Sequence, residues 1–312
     1  MERVPSDHLS EFLDLVDVRA TLSGMMRVDG CWRVRTENCD RLKFLGVAQG
    51  RALLRTDAAP ALDLAQGDVA VLNGRAWLEL SGGGQAGSVR EVVPPVGYVE
   101  DLTTDGSPAD VVIGGHVDLD ETGQAVLAGA LPPVMHLRGA LSPAQGVQRS
   151  LRLLLEETAT GGPGSPFAVR QYSRLLLLEV ARLPAPPEDR PPGWLRLISD
   201  ERLRPAVAAI HADPRAGWSV TDLAGVAHMS RTSFTERFRT AAGLPPRAYI
   251  TRWRMMLARR SLGTLDVPVG VLADQLGYGS ESAFSNAFKR EVGVSPQRYR
   301  LRRRRRTLAQ EA

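Results

Sequence analysis

Histidine, cysteine and arginine are the residues of this 312-residue chain whose chemistry can be weighed against their spacing. A mononuclear metal site needs two or three histidines and a carboxylate converging on one point. The five histidines are His8, His116, His136, His211 and His228, and none lies in the strand-like stretch from Leu42 to Leu80. Ligand count therefore argues against a metal. Cys31 and Cys39 are too few for a disulfide framework and lack zinc-site spacing, so free thiols in a reducing compartment are expected. Gly82-Gly83-Gly84 is not followed by the Lys-Ser/Thr of a phosphate-cradling loop and reads as a hairpin tip; no nucleophile elbow is present. No catalytic residue and no cofactor are expected. What remains is positive charge. Residues 1–193 hold 18 basic and 25 acidic side chains, a net −7, whereas residues 194–312 hold 21 and 10, a net +11. A basic segment joined to an acidic one is the electrostatic signature of a nucleic-acid-binding domain attached to something else.

The elements that would position this charge repeat. Leu223-Ala224 recurs as Leu272-Ala273, 49 residues on, while Ser230, Phe234, Phe238, Gly243, Pro246 and Tyr249 recur 50 on as Ser280, Phe284, Phe288, Gly293, Pro296 and Tyr299. One residue is therefore inserted in the second turn, and register holds after it. Each copy reads as helix, tight turn, helix. Ser219 with Asp222 is close to a capping box, and Ser230 and Ser280 are N-caps. The Phe pairs at i, i+4 mark a buried face, and Gly243 and Gly293 stop the second helix. Two short helices about a tight turn are the shape that can place a helix in a major groove. Between the copies, Pro246 to Leu262 reads as a long helix with a core face of Tyr249, Ile250, Trp253, Met256 and Leu257. Around it stand Arg247, Arg252, Arg254, Arg259 and Arg260, which serve either a solvated or a phosphate-contacting face.

The run from Gly277-Tyr278-Gly279-Ser280 through Phe284, Phe288, Lys289 and Arg290 to Gly293-Val294-Ser295-Pro296-Gln297-Arg298-Tyr299 resembles the DNA-binding domain of the AraC/XylS family of bacterial regulators. The resemblance implies seven helices with two recognition helices in successive major grooves, about 34 Å apart. Carried over position by position, it implies base-facing roles for Arg231, Thr232, Thr235 and Glu236 in the first unit and for Glu281, Ser282, Ser285 and Asn286 in the second. Asn286 suits adenine, a Glu suits the cytosine amino group, and a Thr methyl suits thymine. For Glu281, the first turn after Ser280 is also favoured by the helix dipole alone. Family members often carry arginine or glutamine where Glu236 and Asn286 stand, which leaves the target sequence open. Arg237, Arg239, Arg252, Lys289, Arg290, Arg298 and Arg300 are the phosphate candidates, and the run Arg302 to Arg306 is expected to be a disordered tail.

The acidic segment is patterned differently. Leu42–Val47, Ala52–Arg55, Val69–Leu72 and Ala76–Leu80, separated by turn signals, read as antiparallel strands of a barrel or sandwich. A short amphipathic helix precedes them, and Val147–Thr158 and Pro166–Leu183 read as an antiparallel helix pair about Gly161-Gly162-Pro163-Gly164. The proline-rich stretch 184–193 reads as a linker. Gln49-Gly50-Arg51-Ala52-Leu53-Leu54 and Leu64-Ala65-Gln66-Gly67-Asp68-Val69, with Leu131-Pro132-Pro133-Val134-Met135-His136-Leu137, resemble the cupin-like N-terminal domain of one branch of the same family. That resemblance implies a small-molecule effector, with Trp32, Phe44 and Trp77 as candidate pocket residues, although each such aromatic is more often ordinary barrel core. Leucines beyond what one helix pair buries suggest a homodimer, and packing on the barrel is the alternative.

The expectation is thus an α+β multidomain protein. A cupin-like β-barrel spans 1–140, a dimerising helical hairpin 141–183, a linker 184–193, an all-α double helix-turn-helix domain 194–301 and an arginine-rich tail 302–312. Its expected function is a transcription regulator controlled by a small-molecule effector or by dimerisation through the N-terminal domain, an activator ahead of a repressor, with promoter DNA as partner and RNA polymerase if it activates. The alternative is a cupin-type metal enzyme fused to a DNA-binding module. No apolar run approaches the length of a membrane span and no secretory signal is read, so a cytoplasmic location is expected.

Overall fold

The computed structural model describes residues 7–15, 18–39, 42–83, 88–94, 98–104, 108–119, 123–124, 131–139, 142–183, 191–264 and 266–311. The tip residue Gly84 and linker residues 184–190 lie outside the described residues. In chain order, helix α1 (His8–Leu15) is followed by strands β1 (Val18–Val28), β2 (Trp32–Cys39), β3 (Leu42–Gln49), β4 (Arg51–Thr56), β5 (Leu62–Ala65), β6 (Val69–Leu72), β7 (Arg75–Gly82), β8 (Arg90–Glu91), β9 (Tyr98–Leu102), β10 (Asp110–Leu119) and β11 (Val134–Leu137). Helices follow: α2 (Ser142–Thr160), α3 (Ser165–Arg182), α4 (Trp194–Ser199), α5 (Arg204–Ala212), α6 (Val220–Val226), α7 (Arg231–Ala242), α8 (Pro246–Thr264), α9 (Val269–Gln275), α10 (Glu281–Val292) and α11 (Pro296–Glu311). Two compact units result, one of residues 17–189 and one that combines residues 1–16 with 190–312.

The first unit is a pair of sheets. One has the order β11-β6-β3-β10-β1-β9 and the other β5-β4-β7-β2-β8. Among the described residues no ladder joins the two, so the expected barrel is an open two-sheet arrangement. Most pairings are antiparallel, but β1 with β9 and β2 with β8 are parallel. Strand β4 alternates exposed and buried residues, placing Ala52 and Leu54 inward. All four residues of β6 are buried, because this strand is covered on both faces. The inter-sheet core contains Met26, Val28, Trp32, Val34, Leu45, Val47, Leu54, Leu64, Leu72, Leu78 and Leu80. Asp110 staples the sheets together: its Oδ2 accepts from Trp32 Nε1 at 2.8 Å and its Oδ1 from the Arg51 backbone N–H at 3.0 Å. Gly50, at φ +78°, leaves room for this carboxylate, since a Cβ there would lie 2.0 Å from Asp110 Oδ1.

Helices α2 and α3 cover the outer face of the six-stranded sheet. A Cβ on Gly146 of α2 would meet the Glu179 carboxylate near the end of α3 at 2.3 Å, which makes the pair antiparallel and closely packed. Val147, Leu151 and Leu154 of α2 and Leu176, Leu177 and Val180 of α3 are buried. A polar knot fixes the entry to α2. Asp68, before β6, accepts from the Gly139 and Ala65 backbone N–H groups at 2.8 and 3.1 Å and lies 2.8 Å from His136 Nε2. Gln148 of α2 donates to the Gly67 carbonyl beside it.

The second unit is helical. The expected tail is instead the end of α11, which stays helical to Glu311. Arginine is a good helix former, and Arg300 and Arg304, one turn apart, both reach Asp266, at 3.6 and 2.9 Å.

Candidate nucleic-acid interface

The two recognition helices are built on one local plan. Ser219 caps α6 in a full capping box with Asp222, whose carboxyl is held below the usual range by hydrogen bonds from the Ser219 side chain and backbone. Ser230 accepts from Ser233 N–H at the start of α7, as Ser280 does from Ala283 N–H at the start of α10. Gly243 and Gly293 end these helices in the left-handed conformation, at φ +73° and +80°.

The aromatic packing repeats with them. Phe234, Phe238 and Tyr249 follow one another at centroid distances of 5.6 and 5.5 Å; Phe284, Phe288 and Tyr299 do so at 5.8 and 5.6 Å, with nearly the same ring tilts. The inserted residue can also be located. His228 and Gly277 both have positive φ, and the Met229 and Tyr278 N–H groups both return to the carbonyl five residues back, at Ala224 and Ala273. Register changes only afterwards, so the extra residue is Gly279.

Helix α8 ties the copies into one body. Its first half contributes Tyr249 and Trp253 to the first helix-turn-helix copy, where Trp253 stacks on His211 at 3.6 Å. Its second half contributes Met255, Ala258 and Leu262 to the core around Phe284 and Phe288. Arg254 donates to the Pro214 and Ala216 carbonyls and lies over the Tyr278 ring at 5.7 Å, joining the loop before α6 to the second turn. Arg215 reaches Asp274 at 3.1 Å, and a Cβ on Gly277 would lie 2.3 Å from the Arg215 carbonyl. Helix α1 belongs to this unit as well: Glu11 Oε2 lies 3.3 Å from His211 Nδ1, and His211 Nε2 lies 2.8 Å from the Tyr249 hydroxyl. Burial pushes the Tyr249 phenol well above its usual pKa, so it stays protonated beside His211 Nε2.

This scaffold brings the base-facing candidates into two equivalent rows. Arg231, Thr232 and Glu236 are exposed on α7 and Thr235 is half-buried; Glu281, Ser282 and Asn286 are exposed on α10 and Ser285 is half-buried. Thr235 gives its hydroxyl to the Arg231 carbonyl at 2.8 Å. The Glu281 carboxylate lies beside Gly270, where a Cβ would come within 3.0 Å of it. Among the phosphate candidates, Arg239, Lys289, Arg290 and Arg298 are exposed and Arg252 is half-buried. Arg237 is engaged through Nε by both Asp200 oxygens, at 3.0 and 2.8 Å. Arg254 and Arg300 are turned inward onto backbone carbonyls, which removes them from the phosphate-facing set. Spacing alone did not show this, since the acceptors at Pro214 and Val267 lie 40 and 33 residues away.

The three pocket candidates are not brought together. Trp32 is in the inter-sheet core. Phe44 is on the opposite face of β3 from Leu45 and Val47, the face on which Gly46 approaches Leu151 of α2. Trp77 is on the outer face of the five-stranded sheet, with Arg35 stacked over it at 4.7 Å. Alternation along the strands separates them. Among the described residues no group of three or more His, Cys, Asp or Glu converges as metal ligands would, and no helix is long and apolar enough to cross a membrane.

Residues 7–183 match the family described as Cupin, and residues 223–302 match a helix-turn-helix domain. A Streptomyces antibioticus protein named as an AraC-like transcription regulator is 33% identical over 305 residues, covering 94% of this chain and 98% of that one. A Streptomyces lividans protein of the same description is 32% identical over 300 residues, with the same coverage. The Escherichia coli strain K12 protein RclR, named as an RCS-specific HTH-type transcriptional activator, is 40% identical over 108 residues, covering 35% of this chain and 38% of its own length.

Proposed function

This chain belongs to the AraC-like transcription regulators, and from that premise we propose that α7 and α10 enter successive major grooves of promoter DNA while the two-sheet unit controls their engagement. The observation that carries the reading is the shared exposure pattern of the two helices on one rigid body. Arg231, Thr232, Thr235 and Glu236 face bases in one groove, and Glu281, Ser282, Ser285 and Asn286 face them in the next. Arg237, Arg239, Arg252, Lys289, Arg290 and Arg298 contact the phosphate backbone, Arg237 in a position set by Asp200.

The first unit acts as a sensor rather than an enzyme, in line with relatives that are transcription regulators. Its ligand is a small-molecule effector that favours one state of the regulator over another. Helices α2 and α3 supply the homodimer contact. Phe167 and Leu175 of α3, 61% and 45% exposed, are apolar surface that a second copy would cover. The protein works in the cytoplasm as an activator in contact with RNA polymerase.

A mobility-shift assay over genomic fragments at graded salt tests the central reading. Preferential retention of particular fragments at physiological salt is expected, and equal affinity for all fragments and competitor DNA refutes it.

A further inference from the structure

We propose that Arg302 and Arg305 of α11 continue the phosphate contact begun by Arg298 into a rail for the phosphodiester backbone that extends the footprint beyond the two recognition helices. The inference rests on the DNA-binding reading above. The helix-turn-helix match ends at residue 302, whereas α11 continues to Glu311. Its other arginines fix its orientation. Tyr299 is buried edge-on against Phe288, Arg300 and Arg304 reach Asp266, and Arg303 lies against Gly263 of α8, where a Cβ would come within 3.3 Å of its Nε.

Arg298, Arg302 and Arg305 are left on the remaining face, at i, i+4 and i+7, and all three are exposed. Among the described residues no carboxylate pairs with them, and the sequence has no acidic residue between Glu291 and Glu311. Like charges one turn apart destabilise a helix unless a counter-charge is supplied. At about 1.5 Å per residue the stripe is about 10 Å long. One duplex strand carries a phosphate about every 3.4 Å of axis, so this length spans about three phosphates. The guanidinium fork suits phosphate oxygens. Only Gly293 to Ser295 separates α10 from α11, and the Phe288–Tyr299 contact clamps them, so the stripe is carried on the same body as the recognition helix.

The full-length protein is titrated by fluorescence anisotropy with a labelled 30-base-pair duplex of random sequence and with the preferred genomic fragment, from low to physiological salt. R298Q/R302Q/R305Q should reduce the slope of log K against log salt by about 2 to 3 on both probes, at about 0.9 per lost contact. R298K/R302K/R305K should keep the wild-type slope to within about one contact, because a point charge suffices. R27Q/R35Q/R51Q, with the same net charge change on the two-sheet unit, should leave the slope as it is. A fall of about one or less in the Gln triple, which Arg298 alone accounts for, overturns the rail, as does an equal fall in the control. A loss of transcription with an unchanged slope also overturns it, in favour of an acidic protein partner. Should the triple lower the melting temperature, R302Q alone must still lose about one unit of slope. If wild type shows a normal slope on the random duplex but prefers no genomic fragment, the regulator reading fails while the rail stands.

Discussion

Arg254 Nε donates to the Pro214 carbonyl at 2.7 Å, so a charge on the helix joining the two recognition units serves to lock their spacing. Its second donor, Nη2, reaches Ala216 at 3.0 Å. Both acceptors precede α6, and the guanidinium also covers Tyr278 in the second turn. Two grooves on one face of a duplex can be read together only if the two helices keep a fixed separation.

The first prediction follows from this lock. Arg254→Gln should weaken binding to a site that engages both grooves by roughly 10- to 100-fold, from the loss of charged hydrogen bonds worth about 1.5–3 kcal/mol. Binding to a fragment retaining one half-site should change much less. Equal losses on whole and half sites, measured by anisotropy, would mean that Arg254 supports stability and not spacing.

Direct readout gives the second. Asn286→Ala and Thr235→Ala each should cost about 1–3 kcal/mol on the preferred fragment and leave affinity for random duplex unchanged. Thr235→Ser retains the hydroxyl bonded to the Arg231 carbonyl but removes the methyl, so it should behave like Thr235→Ala. If Thr235→Ser binds as wild type does, the methyl is not what reads the DNA.

What the residues revealed in advance was local. The serine caps, Gly243 and Gly293, and the Phe234–Phe238 and Phe284–Phe288 pairs all act within a few residues of their own position, and each was legible from spacing. Short apolar runs between turn signals likewise marked β3, β4, β6 and β7. The rest depends on partners distant in sequence. Trp32 is held by Asp110, 78 residues away, and His211 by Glu11, 200 residues away; neither pairing leaves a periodic trace. The pocket candidates are not brought together, since aromatic type does not tell which sheet face a residue occupies. The tail was misread because its charge suggested disorder, whereas Asp266 and Tyr299 anchor its first turns.

The first turn also carries a removable cost. His228 sits at φ +51°, the position that glycine takes at Gly277 in the second copy, and its side chain is exposed. Left-handed backbone costs a non-glycine residue about 1–2 kcal/mol. His228→Gly should therefore raise the stability of the helical unit by about 1 kcal/mol in denaturant titration, less the greater chain entropy of glycine when unfolded. DNA affinity should stay the same. A destabilised variant would show that the imidazole makes a compensating contact.

The last prediction concerns Asp68. Burial alone would raise its pKa, but hydrogen bonds from Gly139, His136 and Ala65, with the nearby imidazole, outweigh that and hold the carboxyl below its ordinary value of 3.8. A carboxylate with a depressed folded pKa stabilises the fold above the unfolded value, and that contribution disappears as pH falls through the folded one. Asp68→Asn presents an amide to backbone donors at Gly139 and Ala65 that need an acceptor. At pH 7 it should destabilise the two-sheet unit by about 2–3 kcal/mol, the cost of charge-assisted hydrogen bonds at a buried site. The gap between wild type and variant should stay constant from pH 7 to about 5 and narrow below about 4 as wild type loses its charge. Melting curves of both proteins across this range measure it. A gap that persists unchanged at pH 3 would mean that Asp68 holds the entry to α2 by shape and neutral hydrogen bonding, with its charge irrelevant.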